Sequence, residues 1–301
     1  MAVIETRRLT KMYGGKTGCL DVSVACRQGE IFGFLGPNGA GKSTFVKMLT
    51  GLLFPTSGEA YILGKPVGDV GVRRRIGYLP ENFKFQDWMT GEDLLSFHAS
   101  LYRLDRKTAG RRMEEVLEIA GLKGGEKYRI GTYSKGMQQR IGIASSLLSD
   151  PEVVFLDEPS SALDPVGRKE IRELMLQLKD RGKTIFLNSH LLSEVETICD
   201  SIAIIKGGRI LKQGGMGDIL KEKAGLYISA GNLSAAVLAR LREIDPGLIC
   251  SGDSIEMNIA GREEIASVAR LLVENGCSIY ELVSKRQKLE SLFISMMKEE
   301  D

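Results

Sequence analysis

The segment GPNGAGKST, residues Gly36 to Thr44, limits the possible folds of this chain more than any other segment. It fits the pattern G-x-x-x-x-G-K-[ST]. An apolar run that predicts a strand precedes it, and a helical pattern follows it. Gly39 and Gly41 permit a tight turn in which backbone N–H groups converge on an anion at the start of the helix. Lys42 would add positive charge near terminal phosphates, and the Ser43 hydroxyl would ligate Mg²⁺. The stretch therefore predicts a phosphate-binding loop, and a merely flexible glycine-rich turn is the competing interpretation.

A second candidate site lies in VVFLDEP, Val153 to Pro159, where a buried parallel strand is predicted to end in two carboxylates. A carboxylate at the end of a strand beside a phosphate loop can hold Mg²⁺ through its water shell, and Asp157 is the candidate. Glu158 is expected to point to the other side of the chain, where it would orient or deprotonate an attacking water molecule. A lone Asp-Glu pair is more often a solvated acidic loop, but the phosphate loop favours the functional interpretation.

The composition limits the class of protein. With 301 residues, 43% of them hydrophobic, the chain is long enough for about two domains. Its 41 basic and 39 acidic residues leave a net charge of +2, which does not imply a nucleic-acid surface or a polybasic membrane anchor. The first residues lack the apolar core of a signal peptide, and no apolar run approaches the roughly 18 residues that span a bilayer. A function at a membrane would therefore need another chain to supply the span.

The cysteines and histidines do not form a metal-binding pattern. Five cysteines are scattered singly, no C-x-x-C pair is present, and the chain has two histidines. Such cysteines are typical of buried, reduced thiols in a cytosolic protein. His98 lies on a helical pattern without a partner and is predicted to be structural.

Short apolar or β-branched runs alternate with helical periods, which predicts an α/β fold for residues 1–222. Strands are predicted at residues 3–9, 30–35, 76–79, 153–156, 184–188, 202–206 and 209–213. Helices are predicted at residues 42–52, 91–104, 106–120, 136–148, 166–180 and 191–198. A two-residue turn at Gly207 and Gly208 predicts a hairpin between the last two strands.

A different pattern begins near Gly225 and predicts a second domain at residues 225–301. Its order is β-α-β-β-α-β followed by a helix, which predicts a small α+β appendage of ferredoxin-like topology. No catalytic motif lies in it. Added dimer contacts, regulation and an inert stabilising role all remain open.

The segment YSKGMQQR, Tyr133 to Arg140, places a small hydroxyl residue and a glycine where a helix is predicted to begin. No metal-ligand spacing and no pair of nucleophile and base lies nearby. A helix start with a hydroxyl group and free N–H groups favours negative charge. The segment therefore predicts an anion-binding helix start whose ligand is not supplied by the neighbouring sequence.

Four motifs in the order GPNGAGKST, YSKGMQQR, VVFLDEPSSALDP and LNSH resemble those of the nucleotide-binding subunit of an ATP-binding-cassette (ABC) transporter. The resemblance covers about residues 1–220. It implies a P-loop NTPase fold with a helical subdomain at about residues 85–150, and it implies the cofactors ATP and Mg²⁺. It also implies a head-to-tail dimer of two copies. In that dimer the YSKGMQQR segment of one copy, the signature motif, faces the γ-phosphate held by the other.

The resemblance also implies roles for single residues. The catalytic residues would be Lys42, Glu158 and His190, and His190 would hydrogen-bond the γ-phosphate and the water molecule. The magnesium ligands would be Ser43, Glu81 and Asp157. The nucleotide contacts would be Tyr13, Gly36, Pro37, Asn38, Gly39, Ala40, Gly41, Lys42, Ser43, Thr44, Ser134, Gly136, Met137 and Asp164. Tyr13 would stack on adenine, and a core tyrosine is the alternative.

Three positions depart from the common family pattern. Lys135 and Met137 stand where the signature L-S-G-G-Q has glycine and glutamine, and Glu81 stands where the family commonly has glutamine. A carboxylate at position 81 still offers an oxygen ligand to a hard cation, and its charge could weaken nucleotide binding or change turnover. The substituted signature resembles the branch of small exporters whose ATPase and membrane parts are separate chains.

The resemblance implies an ATPase subunit that drives transport, with export favoured, through a separate integral membrane permease. Such a subunit would lie at the cytoplasmic face of the membrane, held there by the permease. The alternatives are a soluble ABC-type ATPase acting on ribosomes or DNA ends, and a regulatory module with feeble hydrolysis. The single cassette, the lack of a long coiled-coil insertion and the modest net charge disfavour nucleic acid as a partner. The transported substrate is not predicted, because this subunit does not line the pore.

Overall fold

The computed structural model describes residues 2–221, 224–259, 261–285 and 288–298. The chain divides into two compact units, Met1–Gly214 and Gly215–Asp301. This division falls a few residues before the domain boundary that the sequence predicts. Each unit has its own sheet structure and its own hydrophobic core.

The first unit combines two sheets with flanking helices. Its strands are β1 (Ala2–Tyr13), β2 (Lys16–Val22), β3 (Ala25–Arg27), β4 (Ile31–Leu35), β5 (Ser57–Ile62), β6 (Lys65–Pro66), β7 (Ile76–Leu79), β8 (Val153–Asp157), β9 (Thr184–Asn188), β10 (Ser201–Lys206) and β11 (Arg209–Gly215). Its helices are α1 (Lys42–Leu49), α2 (Val70–Arg73), α3 (Gly91–Leu101), α4 (Arg106–Ile119), α5 (Lys135–Leu147), α6 (Pro165–Asp180) and α7 (Leu192–Ile198). A 3₁₀ turn at Ile130–Thr132 precedes α5.

A six-stranded sheet carries the candidate site. Its strand order is β11-β10-β4-β9-β8-β7, and the strands from β10 to β7 are parallel. The strands β4, β8 and β9 are buried along their full length, as their apolar sequences predict. Because the carboxyl ends of parallel strands meet at one edge, the loops after β4, β8 and β9 come together there.

Five phenylalanines pack between the sheet and α1. Phe186 on β9 lies at the centre, and its ring centroid is 5.4 to 6.0 Å from those of Phe32, Phe34, Phe45 and Phe155. Phe45 on α1 also stacks on Phe34 of β4 at 4.7 Å. Aromatic pairs of this kind contribute about 0.5–1.5 kcal/mol beyond their buried area. The cluster therefore holds α1 against the sheet and positions the loop between β4 and α1.

The second sheet of this unit is antiparallel, with the order β2-β1-β5-β6 and with β3 paired to β1. The turn between β1 and β2 places Tyr13 opposite Lys16. The sequence did not predict β2, β3, β5 or β6. The β5 sequence SGEAYI is mostly exposed and has no regular apolar alternation, so its pairing with β1 is a tertiary effect.

The helices α3, α4 and α5 pack on one another in the segment that the sequence predicts as helical. Each begins at a side chain that accepts hydrogen bonds from backbone N–H groups of the first turn. Thr90 forms a capping box with Asp93 at α3, Asp105 caps α4, and Ser134 caps α5.

The second unit contains a four-stranded antiparallel sheet and four helices among its described residues. The elements are α8 (Met216–Lys221), β12 (Ala224–Gly231), α9 (Ala235–Ile244), β13 (Ile249–Ser251), β14 (Ser254–Ile259), α10 (Arg262–Glu274), β15 (Ser278–Lys285) and α11 (Leu289–Lys298). The strand order is β13-β14-β12-β15. Val237 and Leu241 of α9 join Val268 and Leu272 of α10 in a core against the sheet.

Every predicted strand and helix overlaps an element of the structure. The hairpin prediction is confirmed, since Gly207 and Gly208 connect β10 and β11 with positive φ values of 56° and 83°. The short helices α2 and α8 were not predicted. Within the described ranges, no helix is both long and apolar enough to cross a membrane.

Candidate functional site

The loop after β4 folds tightly around the start of α1. Gly41 caps α1 with a φ of 103°, in the left-handed region that favours glycine. A Cβ at this position would lie 2.0 Å from the carbonyl oxygen of Gly18, so any larger residue would collide with backbone. As at any helix start, the first N–H groups of α1 lack partners within the helix, which favours an anion there.

Lys42 lies inside this loop and is 7% exposed. Its Nζ donates hydrogen bonds to the carbonyl oxygen of Gly36 at 2.9 Å and to that of Pro37 at 3.2 Å. Burial lowers the pKa of Lys42, while the negative charges of Glu158, Asp157 and Glu81 act in the opposite direction. The ammonium group is therefore held where the loop and three carboxylates converge.

Asp157 ends β8 and is 1% exposed. Asn188 ends the adjacent strand β9, and its Nδ2 donates a hydrogen bond to Asp157 Oδ1. Burial raises the pKa of Asp157 to about 6, while the hydrogen bond from Asn188 lowers it. A buried carboxylate of this kind is stabilised in its ionised form by a nearby cation.

Glu158 adopts a backbone conformation that non-glycine residues rarely take, with a φ of 53°. Its N–H donates to the Asn188 carbonyl oxygen at 2.8 Å, and its side chain is largely buried. The Oε2 atom of Glu158 lies 2.8 Å from Nδ1 of His190, which is half exposed. Backbone strain of this kind costs about 1–3 kcal/mol and occurs at functional sites, so the position of this carboxylate is specified by its surroundings.

A single cleft of about 620 Å³ brings these side chains together. It is bordered by the β1–β2 hairpin, the loop before α1, the segment after β7 and the ends of β8 and β9. The lining residues are Tyr13, Lys16, Thr17, Gly18, Asn38, Gly39, Gly41, Lys42, Ser43, Thr44, Glu81, Glu158, Asn188 and His190. Most of the site residues that the sequence predicts therefore share one cleft. Tyr13 is about half exposed in it, so the alternative of a core tyrosine is wrong.

Four predicted residues lie next to this cleft but do not line it. Gly36 and Pro37 direct their carbonyl oxygens to Lys42, and Ala40 is buried in the loop. Asp157 lies behind the surface and is linked to the cleft through Asn188.

The predicted residues of the signature motif and Asp164 do not line this cleft. Ser134 caps α5, and its Oγ accepts a hydrogen bond from the Met137 N–H at 3.2 Å. Asp164 caps α6 and accepts a hydrogen bond from the Gly167 N–H at 2.7 Å. The described chain alone does not bring Ser134, Gly136, Met137 or Asp164 to the phosphate loop.

Sequence reasoning missed four residues of the cleft. Lys16, Thr17 and Gly18 begin β2, which was not predicted, and recognising a hairpin after Tyr13 would have placed them. Asn188 stands at the carboxyl end of a correctly predicted strand. The rule that selected Asp157 at the end of β8 would have selected Asn188 as well.

These features define a P-loop nucleotide-binding protein: a phosphate loop between β4 and α1, a buried carboxylate at the end of the neighbouring β8, and a Glu-His pair across the cleft. A family model described as ABC transporter matches residues 19–161. An uncharacterized ABC transporter ATP-binding protein of Synechocystis sp. is 45% identical over 237 residues, which are 75% of this chain and 66% of the relative. The bacitracin transport ATP-binding protein BcrA of Bacillus licheniformis is 36% identical over 302 residues, 98% of this chain and 97% of the relative. The chain belongs to the family of ABC transporter ATP-binding proteins, whose cassettes bind and hydrolyse ATP.

Solved structures show the same fold. An ATP-binding subunit of an ABC transporter aligns with a TM-score of 0.66 at 32% identity, covering 73% of this chain and 92% of the other. A dimeric ATP-binding cassette in a post-hydrolysis state, bound to ADP and phosphate, aligns with a TM-score of 0.64 at 25% identity, covering 71% of this chain and 98% of the other. The P-loop NTPase fold that the sequence predicts is therefore confirmed.

Proposed function

We propose that this chain is the ATP-hydrolysing subunit of an ABC exporter whose membrane-spanning permease is a separate chain. Two copies would close head to tail around two ATP molecules, and hydrolysis would let them separate. The observation that carries the proposal is that only some of the predicted site residues lie in one cleft, while the signature motif lies outside it. One cleft contains Lys42, Glu158 and His190, whereas Ser134 caps a helix start outside it.

The cleft suits a nucleoside triphosphate. Tyr13 offers an exposed ring for adenine, and stacking of this kind is worth about 1–3 kcal/mol per base. The loop from Gly36 to Thr44 and the start of α1 offer N–H groups to the phosphates. Lys42 would add the positive charge that the transferred phosphoryl group requires.

The residues at the bottom of the cleft fit a magnesium ion. Ser43 and Glu81 line the cleft, and Asp157 lies behind it, so hydroxyl and carboxylate oxygens are available. Among the described residues, no group of three or more His, Cys, Asp and Glu side chains could hold a metal alone. Mg²⁺ commonly takes one or two protein ligands and completes its shell with phosphate oxygens and water. Bound there, it would neutralise charge on the β- and γ-phosphates.

The Glu158–His190 pair would carry out the proton chemistry. Glu158 would accept a proton from the attacking water, and His190 would hold the water and the γ-phosphate in line. The groups around the cleft would then act mainly by placement and electrostatic stabilisation.

The second half of each site would come from a second copy of the chain. The start of α5, with Ser134 and Gly136, combines the helix dipole with unpaired N–H groups, which favours a phosphate. Met137 would lie at this start in place of the common glutamine, and Asp164 would connect the two sites across the dimer. The dimeric cassette that contains ADP and phosphate supports this arrangement.

The permease would bind the helical segment of about residues 85–150. Large apolar side chains on this segment are exposed, namely Trp88, Phe97, Leu101 and Tyr128. These exposed side chains would be available for an apolar contact with a partner chain. Through this contact the subunit would lie at the cytoplasmic face of the membrane. The bacitracin transport relative supports a role in transport, and export is the direction that we propose.

The unit after the cassette, residues 225–301, would be a ferredoxin-like accessory domain. Its β-α-β-β-α-β order and the antiparallel strand order β13-β14-β12-β15 support this topology. Its role would be to add dimer contacts, to regulate the cassette or to act as an inert stabilising domain.

A steady-state ATPase assay tests the proposed function. Wild-type protein is expected to hydrolyse ATP in the presence of Mg²⁺, and the rate is expected to change when the membrane protein that copurifies with it is added back. Glu158→Gln is expected to bind ATP and to lose nearly all turnover. Undiminished hydrolysis by Glu158→Gln would contradict the assigned mechanism, and copurification of a ribosome or DNA complex instead of a membrane protein would contradict the transport function.

A further inference from the structure

Asn188 connects Asp157 and Glu158, the two consecutive acidic residues at the end of β8. It is fully buried at the end of β9, yet part of it lines the cleft. Its side chain donates from Nδ2 to Asp157 Oδ1, and its backbone carbonyl accepts the Glu158 N–H at 2.8 Å. Two residues further on, His190 contacts Glu158. One residue therefore sets the positions of the proposed metal ligand and of the proposed base.

The orientation of the Asn188 amide follows from its partner. An ionised carboxylate only accepts hydrogen bonds, so the NH₂ group of the amide must face Asp157. The other end, Oδ1, is then an acceptor that points away from Asp157. This oxygen is buried and has no hydrogen-bond partner among the described residues.

An unpaired buried acceptor is destabilising, so it calls for an explanation. Tyr78 Oη, Glu126 Oε2, Ser149 Oγ and Ser201 Oγ are also buried without a partner in the described residues, but none of these four residues lines the cleft. Of these five residues, Asn188 alone lines the cleft, and it also donates a hydrogen bond to Asp157, a proposed magnesium ligand. A water molecule of a metal's hydration shell is a donor of the required kind, because coordination leaves both of its hydrogens free to donate.

We propose that Asn188 is a positioning residue for magnesium-bound triphosphate. Its Nδ2 holds one carboxylate oxygen of Asp157, which would leave the other oxygen available to the metal, and its Oδ1 would accept a hydrogen bond from a water molecule of the metal's hydration shell. This inference rests on the proposed function. It assigns Asn188 no direct contact with the reacting atoms. Outer-shell residues of this kind usually change metal affinity by about 10–100-fold when they are mutated.

The test compares ATP affinity with Mg²⁺ and in excess EDTA, together with Mn²⁺ binding to the ATP complex by electron paramagnetic resonance. Asn188→Leu keeps the volume and removes both polar groups. We expect the gain in ATP affinity from Mg²⁺ and the affinity for Mn²⁺ to fall by about tenfold or more, while affinity in EDTA stays within about twofold.

Two further variants separate positioning from folding. Thr184→Val removes a buried hydrogen bond at the other end of β9, where the Thr184 hydroxyl accepts from the Gly29 N–H, and should leave the metal-dependent gain unchanged. Asn188→Ser keeps a small polar group, and it should lose metal affinity in the same direction even if Asn188→Leu does not fold.

If the folded Asn188 variants bind ATP with the same dependence on Mg²⁺ as the wild-type protein, the inference is overturned and the proposed function stays intact. Wild-type protein that binds ATP equally well with and without Mg²⁺ would instead refute the magnesium site, and with it both proposals.

Discussion

His190 Nδ1 lies 2.8 Å from Glu158 Oε2 and joins the loop after β9 to the end of β8. Glu158 is therefore held from two sides, because its N–H also donates to the Asn188 carbonyl oxygen. Its left-handed backbone adds a third constraint. A carboxylate fixed in this way is already oriented before substrate binds, which is what a general base requires.

The first prediction concerns this pair. We expect His190→Ala to lower kcat by about 10²-fold or more, with a smaller effect on the affinity for ATP, because the loss affects positioning in the transition state. His98→Ala is the matched control. His98 is the other histidine, its ring lies edge-on to Phe97, and burial lowers its pKa, so it should leave kcat nearly unchanged. Equal losses from both substitutions would contradict a specific role for His190.

A second prediction concerns the ring of Tyr13. Lys11 Nζ lies 5.5 Å from its centroid and donates to the Phe54 carbonyl oxygen at 2.8 Å. Lys11 therefore covers the ring on one side, and adenine would stack on the other. We expect Lys11→Met to weaken ATP binding by at most about fivefold, because the cation–π contact, worth about 0.5–1 kcal/mol, acts on binding only by holding the ring in its stacking position. Tyr13→Ala should weaken it further.

Inorganic triphosphate provides the control for this prediction, since it lacks the base. Its affinity, measured by calorimetry, should not change in Lys11→Met or in Tyr13→Ala. A parallel loss of triphosphate affinity would show that the hairpin supports the phosphate loop instead of the base.

A third prediction concerns the attachment of α4 to α5. The buried Arg112 guanidinium donates to the carbonyl oxygens of Leu147 at 2.7 Å and Leu148 at 3.2 Å, and it pairs with Glu115 at 2.6 Å. We expect Arg112→Met to lower the free energy of unfolding by about 3 kcal/mol, because these groups lose their donor. Urea denaturation measures this. Arg111 is exposed, so Arg111→Met should lower the free energy of unfolding by less than about 0.5 kcal/mol. An equal loss in both variants would contradict the role assigned to Arg112.

A fourth prediction concerns pH. Burial acts to raise the pKa of Asp150, but the hydrogen bond from Lys183 at 2.6 Å and the charge of Arg112 outweigh it, so the pKa is lowered. The folded-state pKa then lies below the unfolded value of about 3.9. The stabilisation is present above that value and is lost as the pH falls through the folded-state pKa.

Thermal unfolding of Lys183→Met tests this direction of the change in stability with pH. The melting temperature should be lower than that of wild-type protein at pH 7, and the difference should shrink as the pH falls from about 5 to below 3. Lys123 is exposed and forms no ion pair among the described residues, so Lys123→Met should show no such trend. A difference that grows at acidic pH would show that the ion pair is not its cause.

The sequence predicted the parts of the site that follow from local pattern. Gly41 and Lys42 could be placed because a strand, a glycine loop and a helix are consecutive in the chain. Asp157 and Glu158 could be placed because they end a continuous apolar strand. Asn188 also ends a predicted apolar strand, but local pattern does not reveal that this strand lies next to β8, so the pairing of Asn188 with Asp157 was not predicted.

The β1–β2 hairpin shows a second limit. Lys16 begins a strand whose residues alternate only weakly in polarity, and its order depends on pairing with β1. The close approach of Gly18 to Gly41 is equally a tertiary contact that spans more than twenty residues of sequence. Neither contact has a local signal, so the place of Tyr13 in the cleft was predicted only from the resemblance of the sequence to the family.

The most direct test of the account is the molar mass of Glu158→Gln by light scattering with saturating ATP and Mg²⁺. We predict a shift from monomer to dimer that reverses when ATP is removed. The shift should be absent in the double variant with Ser134→Arg, although that variant should still bind ATP. A mass that stays at one chain under saturating ATP, or an unaltered dimer in the double variant, would contradict a nucleotide shared between two copies.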